Sequence, residues 1–391
     1  MSNSFKFAHL ADCHLDSWRE PVLKHTNLLA FQEAMGWCIK EKMDFVLISG
    51  DLFHSCTPDM EILRAATKKM KEVRDARIPI YVIAGSHDFS QSDKTIIRVL
   101  EAAGLFIDVA KAKERDEHLF LKFTTDEKTG AKITGMPGKK GGLERRYYDA
   151  LDLSSLENEA GFKIFMFHSA IEEYKPRFLA AVEGIPLSCF PKNFGYYAGG
   201  HVHTIFEKNE NGFGKFVFPG ALYPVNFREL EHERRGNFMA VSVEDGKVST
   251  RHIPIEPHIV TTIRIDATGK SAEALEQNLS EELKEATLAD RIVLLRVYGK
   301  LSSGNVRDVD FSKAMEIADA KGALIFKKNT FMLEDREFEE VQIEDSLNLQ
   351  ELESKLLREH LGKNDIGMNE ELLARELMAC LDLEKQEGET N

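Results

Sequence analysis

The sequence of 391 residues has no stretch that approaches the ~18 to 20 consecutive apolar residues needed to span a bilayer. Its first residues lack the basic segment and apolar core of a secretion signal. Internal repeats and low-complexity segments are also missing. We therefore expect a cytoplasmic protein, nucleoid-associated if prokaryotic, with no membrane contact.

Cysteine is scarce, and basic charge is outnumbered. The five cysteines are odd in number and form no CxxC pair, so we interpret them as reduced, mostly structural thiols: Cys13, Cys38, Cys56, Cys189 and Cys380. The net charge of −14 excludes a protein that binds nucleic acid through bulk electrostatic attraction. Any DNA contact would be local, through bound cations or a basic pair. The candidate pairs, each more simply a solvated surface charge, are Lys139-Lys140, Arg145-Arg146 and Arg234-Arg235.

What the sequence does contain is an alternation of strand-like and helix-like segments. A strand–helix–strand–helix–strand order at the start predicts parallel βαβ pairing, and the later strands are spaced as in an antiparallel or mixed sheet. This predicts an α/β fold of two facing mixed sheets flanked by helices. The predicted strands are residues 5–10, 44–49, 78–84, 162–167, 196–199, 215–218 and 238–243, with helices over 31–39 and 62–73.

Two further units are predicted after this alternation. Pro254 and Pro257 indicate a boundary, which gives a first domain over 1–254 and a small α+β domain over 255–335. A C-terminal segment over 345–386 has two amphipathic helices, which either pack on their own domain or dock onto a partner helix. Their apolar stripes are Leu349, Leu352 and Leu356, and Leu373, Leu377, Cys380 and Leu381.

Polar side chains follow five of the predicted strands, each at the point where the strand ends. In open α/β sheets, ligands bind at the carboxyl ends of strands, so these clusters converge. Carboxylates and imidazoles together suit Mn²⁺, Fe²⁺ or Zn²⁺, and a DxH or HxH spacing puts both side chains on one side of an extended chain. Each motif alone is weak, but the ordered set predicts a dinuclear metal site: Asp12 and His14; Asp51 and His54; Ser86, His87 and Asp88; His168; His201 and His203.

The order of these motifs resembles that of calcineurin-like metallophosphoesterases. Residues 44–54 (DFVLISGDLFH) and 78–88 (IPIYVIAGSHD) are similar to the DNA double-strand-break repair nucleases, the meiotic recombination eleven and SbcD group. The resemblance covers the whole chain and is most specific before residue 225. It implies the metallophosphoesterase fold, a small domain that caps DNA, and tail helices that bind an SbcC or Rad-fifty-type coiled-coil ATPase.

The resemblance also implies residue roles around two Mn²⁺ ions, with other divalent metals possible. His87 would act on the phosphate or the leaving oxygen, Asp88 would orient it, and His54 would help to place the DNA backbone. Asp51 would bridge the ions. The first ion would be held by Asp12, His14, Asp51 and His203, and the second by Asp51, Ser86, His168 and His201.

One position departs from the family pattern. The family has GNHD where this chain has Gly85-Ser86-His87-Asp88. A serine hydroxyl can bind a hard cation, but its side chain is shorter than that of asparagine. Direct ligation by Ser86 is therefore in doubt, and with it full activity.

Three functions compete at this point. The first is an Mn-dependent DNA exonuclease and endonuclease at DNA ends, a homodimer through its early helices, working with an ABC-type ATPase. The second is a general phosphodiesterase or phosphatase of the same fold, which would not need His54 or the small domain. The third, favoured by Ser86, is a weakly active subunit that tethers DNA ends.

Overall fold

The computed structural model describes residues 4–88, 95–139, 144–180 and 183–335. The predicted tail helices at 345–386, together with Lys140 and Cys380, lie outside these residues. Within these ranges, no helix combines the length and apolar character needed to cross a membrane.

The first sheet is six-stranded and mixed. β1 to β4 run parallel, while β13 pairs antiparallel with both β1 and β14. The central strand β2 is buried along its whole length, as a strand of purely apolar sequence between two layers requires. In spatial order the strands are β14 (Lys247–Ile255), β13 (Gly236–Glu244), β1 (Ser4–Leu10), β2 (Phe45–Ser49), β3 (Ile80–Ile83) and β4 (Ile107–Asp108).

The second sheet also has six strands and is mixed. Its four inner strands are parallel, and an antiparallel strand closes each edge. A separate hairpin is formed by β5 (Ala112–Arg115) and β6 (His118–Leu121). In spatial order the sheet consists of β11 (Phe206–Asn209), β12 (Lys215–Phe218), β10 (Tyr196–Gly200), β9 (Lys163–His168), β8 (Lys132–Met136) and β7 (Thr124–Thr125).

The two sheets pack face to face, which confirms the predicted fold class. Alternate residues of β1 show why: Phe5 and Phe7 pack against the second sheet, and Ala8 and Leu10 pack beneath the helices. The structure thus has an apolar layer between the sheets and one on each outer face. The flanking helices of this domain are α1 (Pro21–Lys40), α2 (Met60–Asp75), α3 (Ile96–Ala102), α4 (Glu144–Asp149), α5 (Leu153–Glu157) and α6 (Phe227–Glu233).

A small domain follows, with its own apolar core. Three parallel strands, β15 (Val260–Asp266), β16 (Ile292–Lys300) and β17 (Ile325–Glu334), are covered by α7 (Ala272–Glu285) and α8 (Phe311–Ala320). Val260, Ile292 and Leu294 join the core beneath α1 and α2, so the two domains share buried surface.

Of the two prolines that indicated a boundary, Pro257 lies in the connection between β14 and β15, whereas Pro254 does not. Pro254 lies inside β14, opposite Asn237 of β13, so the first sheet continues to Ile255. Proline is tolerated there because β14 is an edge strand, and no neighbouring strand requires hydrogen bonds from its outer edge. The chain leaves the sheet only between β14 and β15.

The aromatic layer outside the second sheet gives a stability prediction. Phe216 is fully buried and stacks on Tyr197 with ring centroids 4.0 Å apart. We expect Phe216→Ala to lower the free energy of unfolding by about 3 to 5 kcal/mol, through lost burial and the cavity it leaves. Phe331 is 93% exposed, so Phe331→Ala should change it by no more than about 0.5 kcal/mol. Urea denaturation checks both, and equal losses would contradict this packing.

Candidate metal centre

The predicted site residues come together at one edge of the sandwich. Asp12 and His14 follow β1, Asp51 follows β2, His168 ends β9, and His201 and His203 follow β10. Backbone hydrogen bonds join the loop after β1 to the loop after β2. The Asp12 amide donates to the Gly50 carbonyl at 3.2 Å, and the His14 amide donates to the Asp51 carbonyl at 2.8 Å. Parallel pairing in both sheets therefore brings these strand ends to one place.

The backbone is strained at four of these residues. Asp12, His14, Asp51 and His201 have φ angles of +50°, +41°, +52° and +84°, in the left-handed region that non-glycine residues rarely adopt. Each such residue costs on the order of 1 to 3 kcal/mol and persists only where its surroundings fix it. Their clustering makes this edge the candidate functional site.

Two glycines allow the loops to approach this closely. Gly50 has φ +88°, and a Cβ there would lie 2.2 Å from His168 Nδ1. A Cβ on Gly85 would lie 2.1 Å from Asp51 Oδ1. Any larger residue at either position would push apart the side chains of the site.

Asp51 lies at the middle of the cluster. Its Oδ2 is 3.1 Å from His168 Nε2 and 3.5 Å from His14 Nε2, and its Oδ1 accepts a 2.8 Å hydrogen bond from the His87 amide. Burial raises the pKa of Asp51, but the neighbouring His168 and His14 and the His87 amide lower it well below its usual range. The carboxylate is therefore charged and has imidazoles on two sides.

Asp12 is the second buried carboxylate. It accepts hydrogen bonds from the His201 amide at 2.9 and 3.0 Å, and its Oδ1 is 3.9 Å from both His168 Nδ1 and His203 Nε2. Burial raises the pKa of Asp12, and the nearby histidines oppose this effect only in part. The positive charge around this carboxylate therefore does not compensate for its burial.

Three histidines are fixed in one tautomer by what their Nδ1 contacts. Nδ1–H donates to the Ser49 carbonyl in His168 (2.8 Å), to the His54 carbonyl in His87 (2.8 Å) and to Glu229 Oε1 in His203 (3.0 Å). A carbonyl or carboxylate oxygen only accepts, so Nε2 is left as the free nitrogen in each neutral ring. This is the arrangement that histidine ligands of metals show.

The donor atoms fit divalent cations. Nε2 of His14 and Nε2 of His203 are 3.1 Å apart, close enough for one ion to contact both. Nε2 of His168 is buried and lies 3.1 Å from Asp51 Oδ2, in a geometry that does not meet the criteria of a hydrogen bond. Burial lowers the pKa of His168, but Asp51 and Asp12 outweigh it and raise the pKa to about 10. Two groups of donors lie close enough to share an ion: Asp12, His14 and His203, and Asp12, Asp51 and His168.

His54 and His87 lie beside these groups. Their rings stack with centroids 4.8 Å apart, and His14 lies 4.8 Å from His87 and 5.4 Å from His54. The three rings form a further group of donors that lie close enough to share an ion. Burial and the nearby His87 lower the pKa of His54, so this half-buried ring is neutral.

Ser86 and His201 are less closely integrated. The His201 ring lies 5.3 Å from that of His168, but no group of three candidate donors found among the described residues includes it. Burial lowers the pKa of His201 to about 4. Ser86 is half-buried in the turn between Gly85 and His87.

Asp88 has a different environment from the one expected of a residue that orients His87. Its buried carboxylate accepts hydrogen bonds from the amides of Leu52 and Gly85 at Oδ2 (3.1 and 3.0 Å) and of Phe53 at Oδ1 (3.0 Å). It therefore joins the loop after β2 to the loop after β3. Burial and the charge of Asp51 raise the pKa of Asp88 to about 6.

Two neighbours of the site were missed from the sequence. His9, buried in β1, has Nδ1 2.9 Å from the Tyr196 hydroxyl and Nε2 3.0 Å from Ser49 Oγ. Its signal was a histidine inside an otherwise apolar strand. Glu229, which contacts His203, had only the pattern Asn226-x-x-Glu229 of a helix start, and this points to no metal ligand.

Comparison with known proteins identifies similar chains. A family model described as "Calcineurin-like phosphoesterase" matches residues 5–204, just over half of the 391 residues. "DNA double-strand break repair protein Mre11" of Archaeoglobus fulgidus is 25% identical, over 98% of this chain and 87% of that protein. The protein of the same name from Methanococcus maripaludis is 25% identical, over 74% and 78%. A dimetal phosphatase from Danio rerio shares 11% identity over 64% of this chain and 99% of that one, with a TM-score of 0.37.

The His9 network gives a prediction about pH. Burial lowers the pKa of His9 to about 3, while the unfolded chain takes up this proton near 6.5. Between these two values the folded state therefore binds fewer protons than the unfolded chain. The free energy of unfolding keeps its full value above pH 6.5 and decreases as the pH falls toward 3, by up to about 1.4 kcal/mol per pH unit from this residue.

Urea denaturation in chelator between pH 7.5 and 5 measures this slope. We expect His9→Asn to flatten it, whatever its effect on stability at pH 7.5, and His25→Asn, at an exposed position, to leave it unchanged. A slope unchanged in His9→Asn would contradict the assignment.

Proposed function

The chain belongs to the calcineurin-like phosphoesterase family of hydrolases, and from this premise we propose that it is a DNA nuclease that hydrolyses phosphodiester bonds at DNA ends with two divalent metal ions. The observation that carries the proposal is the buried cluster around Asp51, with nitrogen and oxygen donors on both of its sides. The printed name of the Archaeoglobus and Methanococcus relatives supports DNA as the substrate.

We propose two adjoining sites. Two metal ions, when bound, activate a water molecule and stabilise the attacking and leaving oxygens of the phosphodiester. Manganese is our choice from the family resemblance, and mixed carboxylate and imidazole donors are compatible with it, as they are with Fe²⁺ and Zn²⁺. The first site consists of Asp12, His14, Asp51 and His203, and the second of Asp51, Ser86, His168 and His201.

His87 is the proposed general acid. Its Nδ1–H donates to the His54 carbonyl, so Nε2 is the nitrogen that faces the reaction. Nε2 would take up a proton from solvent to give the imidazolium, and would then transfer this proton to the departing 3′ oxygen. His54 stacks on this ring and helps to place the DNA backbone. Asp88 acts one step away: it holds the loop that carries His87 against the loop that carries Asp51.

We propose that local positive charge helps this acidic protein to bind DNA. Arg235 lines the same shallow pocket as His203, and it is exposed. Arg145 is paired with Asp149 at 2.9 Å, and the Lys139 ammonium lies 3.5 Å from the centre of the Tyr147 ring. Of the candidate pairs, Arg234-Arg235 therefore has the best placement for a phosphate contact.

The remaining assignments are proposals from the family resemblance. The segment 345–386 would bind a coiled-coil ABC-type ATPase, and the small domain would cap the DNA. Either α1 and α2 or the segment after Ser90 would form a homodimer interface. Of these elements, α2 exposes the large apolar side chain of Met60. A cytoplasmic location beside chromosomal DNA is part of the same proposal.

A tethering subunit with little nuclease activity is the second candidate. Ser86, where the family pattern has asparagine, is the observation that favours it. A general phosphatase is less favoured, because neither the small domain nor His54 would be needed.

Cleavage of linear double-stranded DNA with Mn²⁺ tests the nuclease proposal. We expect activity in the wild type and a loss of about 10²- to 10⁴-fold in His87→Ala, the usual contribution of a general acid. His118→Ala, at an exposed position on β6, is the matched control and should be fully active. A wild type that cleaves bis-p-nitrophenyl phosphate but not DNA would point to the phosphatase.

Ser86→Asn separates the nuclease from the tethering subunit. If the asparagine adds a direct donor worth ~1.4 kcal/mol, the weaker of the two Mn²⁺ sites should bind its ion about tenfold more tightly. Isothermal titration calorimetry measures this affinity. Ser249→Asn, at an exposed position on β14, is the control. A wild type that is inactive on DNA and rescued by Ser86→Asn would favour the tethering subunit. An unchanged Mn²⁺ affinity would show that asparagine at residue 86 adds no donor that serine lacks.

A further inference from the structure

Glu229 is a carboxylate beside the metal centre that the motifs do not include. It lies in the first turn of α6, and its Oε1 accepts the Nδ1–H of His203 at 3.0 Å. Both side chains are largely buried, with 25% of each exposed. The contact fixes the orientation of the ring and leaves Nε2 of His203 3.1 Å from Nε2 of His14.

Glu229 is itself held in place. Its Oε2 accepts a 3.1 Å hydrogen bond from the Val225 amide, and its Oε1 accepts a 2.7 Å bond from Asn226 Nδ2. The side chain of Asn226 in turn caps the helix by accepting from the Glu229 amide at 3.0 Å. A carboxylate with these partners cannot turn away from His203 without losing them.

The same helix is tied to the small domain. Glu231, two residues further on, is buried and accepts a 3.0 Å hydrogen bond from Arg264 of β15. It also accepts from Arg296 of β16, whose Nε lies 2.8 Å from Oε1 and 2.7 Å from Oε2 and whose Nη2 lies 2.5 Å from Oε2. Separating α6 from the small domain would break these pairs and leave the buried charge of Glu231 uncompensated, which is costly. The small domain therefore holds α6 in place. A continuous series of contacts thus joins β16 to His203, by way of Arg296, Glu231, α6 and Glu229.

We propose that Glu229 is a positioning residue that holds His203 as a metal ligand, and that α6 makes the affinity of this ligand set depend on the docking of the small domain. The inference rests on the proposed metal site. A carboxylate behind a histidine ligand raises its basicity and fixes its tautomer, and losing such a partner costs about 10- to 100-fold in metal affinity. A purely structural role, capping α6, would alter stability and leave metal affinity unchanged.

Calorimetric titration of the metal-free chain with Mn²⁺ tests the first part. We expect Glu229→Ala to weaken one of two Mn²⁺ sites by about 10- to 100-fold. Glu229→Gln, which keeps an acceptor for Nδ1–H, should fall between Glu229→Ala and the wild type. Glu281→Ala removes an exposed carboxylate from α7 that does not line the pocket of His203, and should match the wild type. Thermal unfolding in chelator verifies that each variant is folded.

The outcomes separate the inference from the proposed function. Two sites in the wild type that remain unchanged in a folded Glu229→Ala would overturn the inference and leave the nuclease proposal standing. If Glu229→Ala does not fold, Glu229→Gln decides by the same criterion. A folded wild type that binds no Mn²⁺ would overturn the proposed function, and the inference with it.

Glu231→Gln tests the link to the small domain. We expect it to weaken the same Mn²⁺ site by about 2- to 10-fold, and to add nothing in a Glu229→Ala background, because both act through His203. A Glu231→Gln variant with wild-type affinity, or one whose loss adds fully to that of Glu229→Ala, would overturn the link while leaving the role of Glu229 intact.

Discussion

The structure depends on one buried negative charge, the carboxylate of Asp51. Taken alone, a carboxylate at this depth would be strongly unfavourable, and it persists because imidazoles from both sheets and the His87 amide surround it. Parallel pairing brings the strand ends together, and this need for positive charge explains why their loops pack so closely. The backbone accepts left-handed angles at four aspartate and histidine residues, and Gly50 and Gly85 leave no room for a Cβ.

The sequence was sufficient for the fold class and for bringing the site residues to one edge, because both follow from strand order. Apolar runs that each end in polar residues predict parallel strands, and parallel strands end together. Asp12, Asp51 and His168 were identified this way, and they lie within one donor group. The extent of the first sheet was less predictable, since Pro254 is compatible with an edge strand as well as with a linker.

Contacts across long separations were beyond the sequence. Asp88 follows His87 in the chain, which suggested a role toward that ring, yet its hydrogen bonds go to amides on two loops. Glu229 reaches a histidine that lies 26 positions earlier, and Glu231 reaches an arginine 65 positions later. Such partners are set by how domains and loops pack, and no local pattern of residues records them.

The central claim is that Asp51 bridges two cations, and electron paramagnetic resonance of the Mn²⁺-loaded chain tests it most directly. Two ions joined by one carboxylate couple magnetically, so the account predicts two bound Mn²⁺ per chain with an exchange-coupled spectrum that Asp51→Asn abolishes. A single bound ion, or two ions with the spectrum of isolated Mn²⁺, would contradict it.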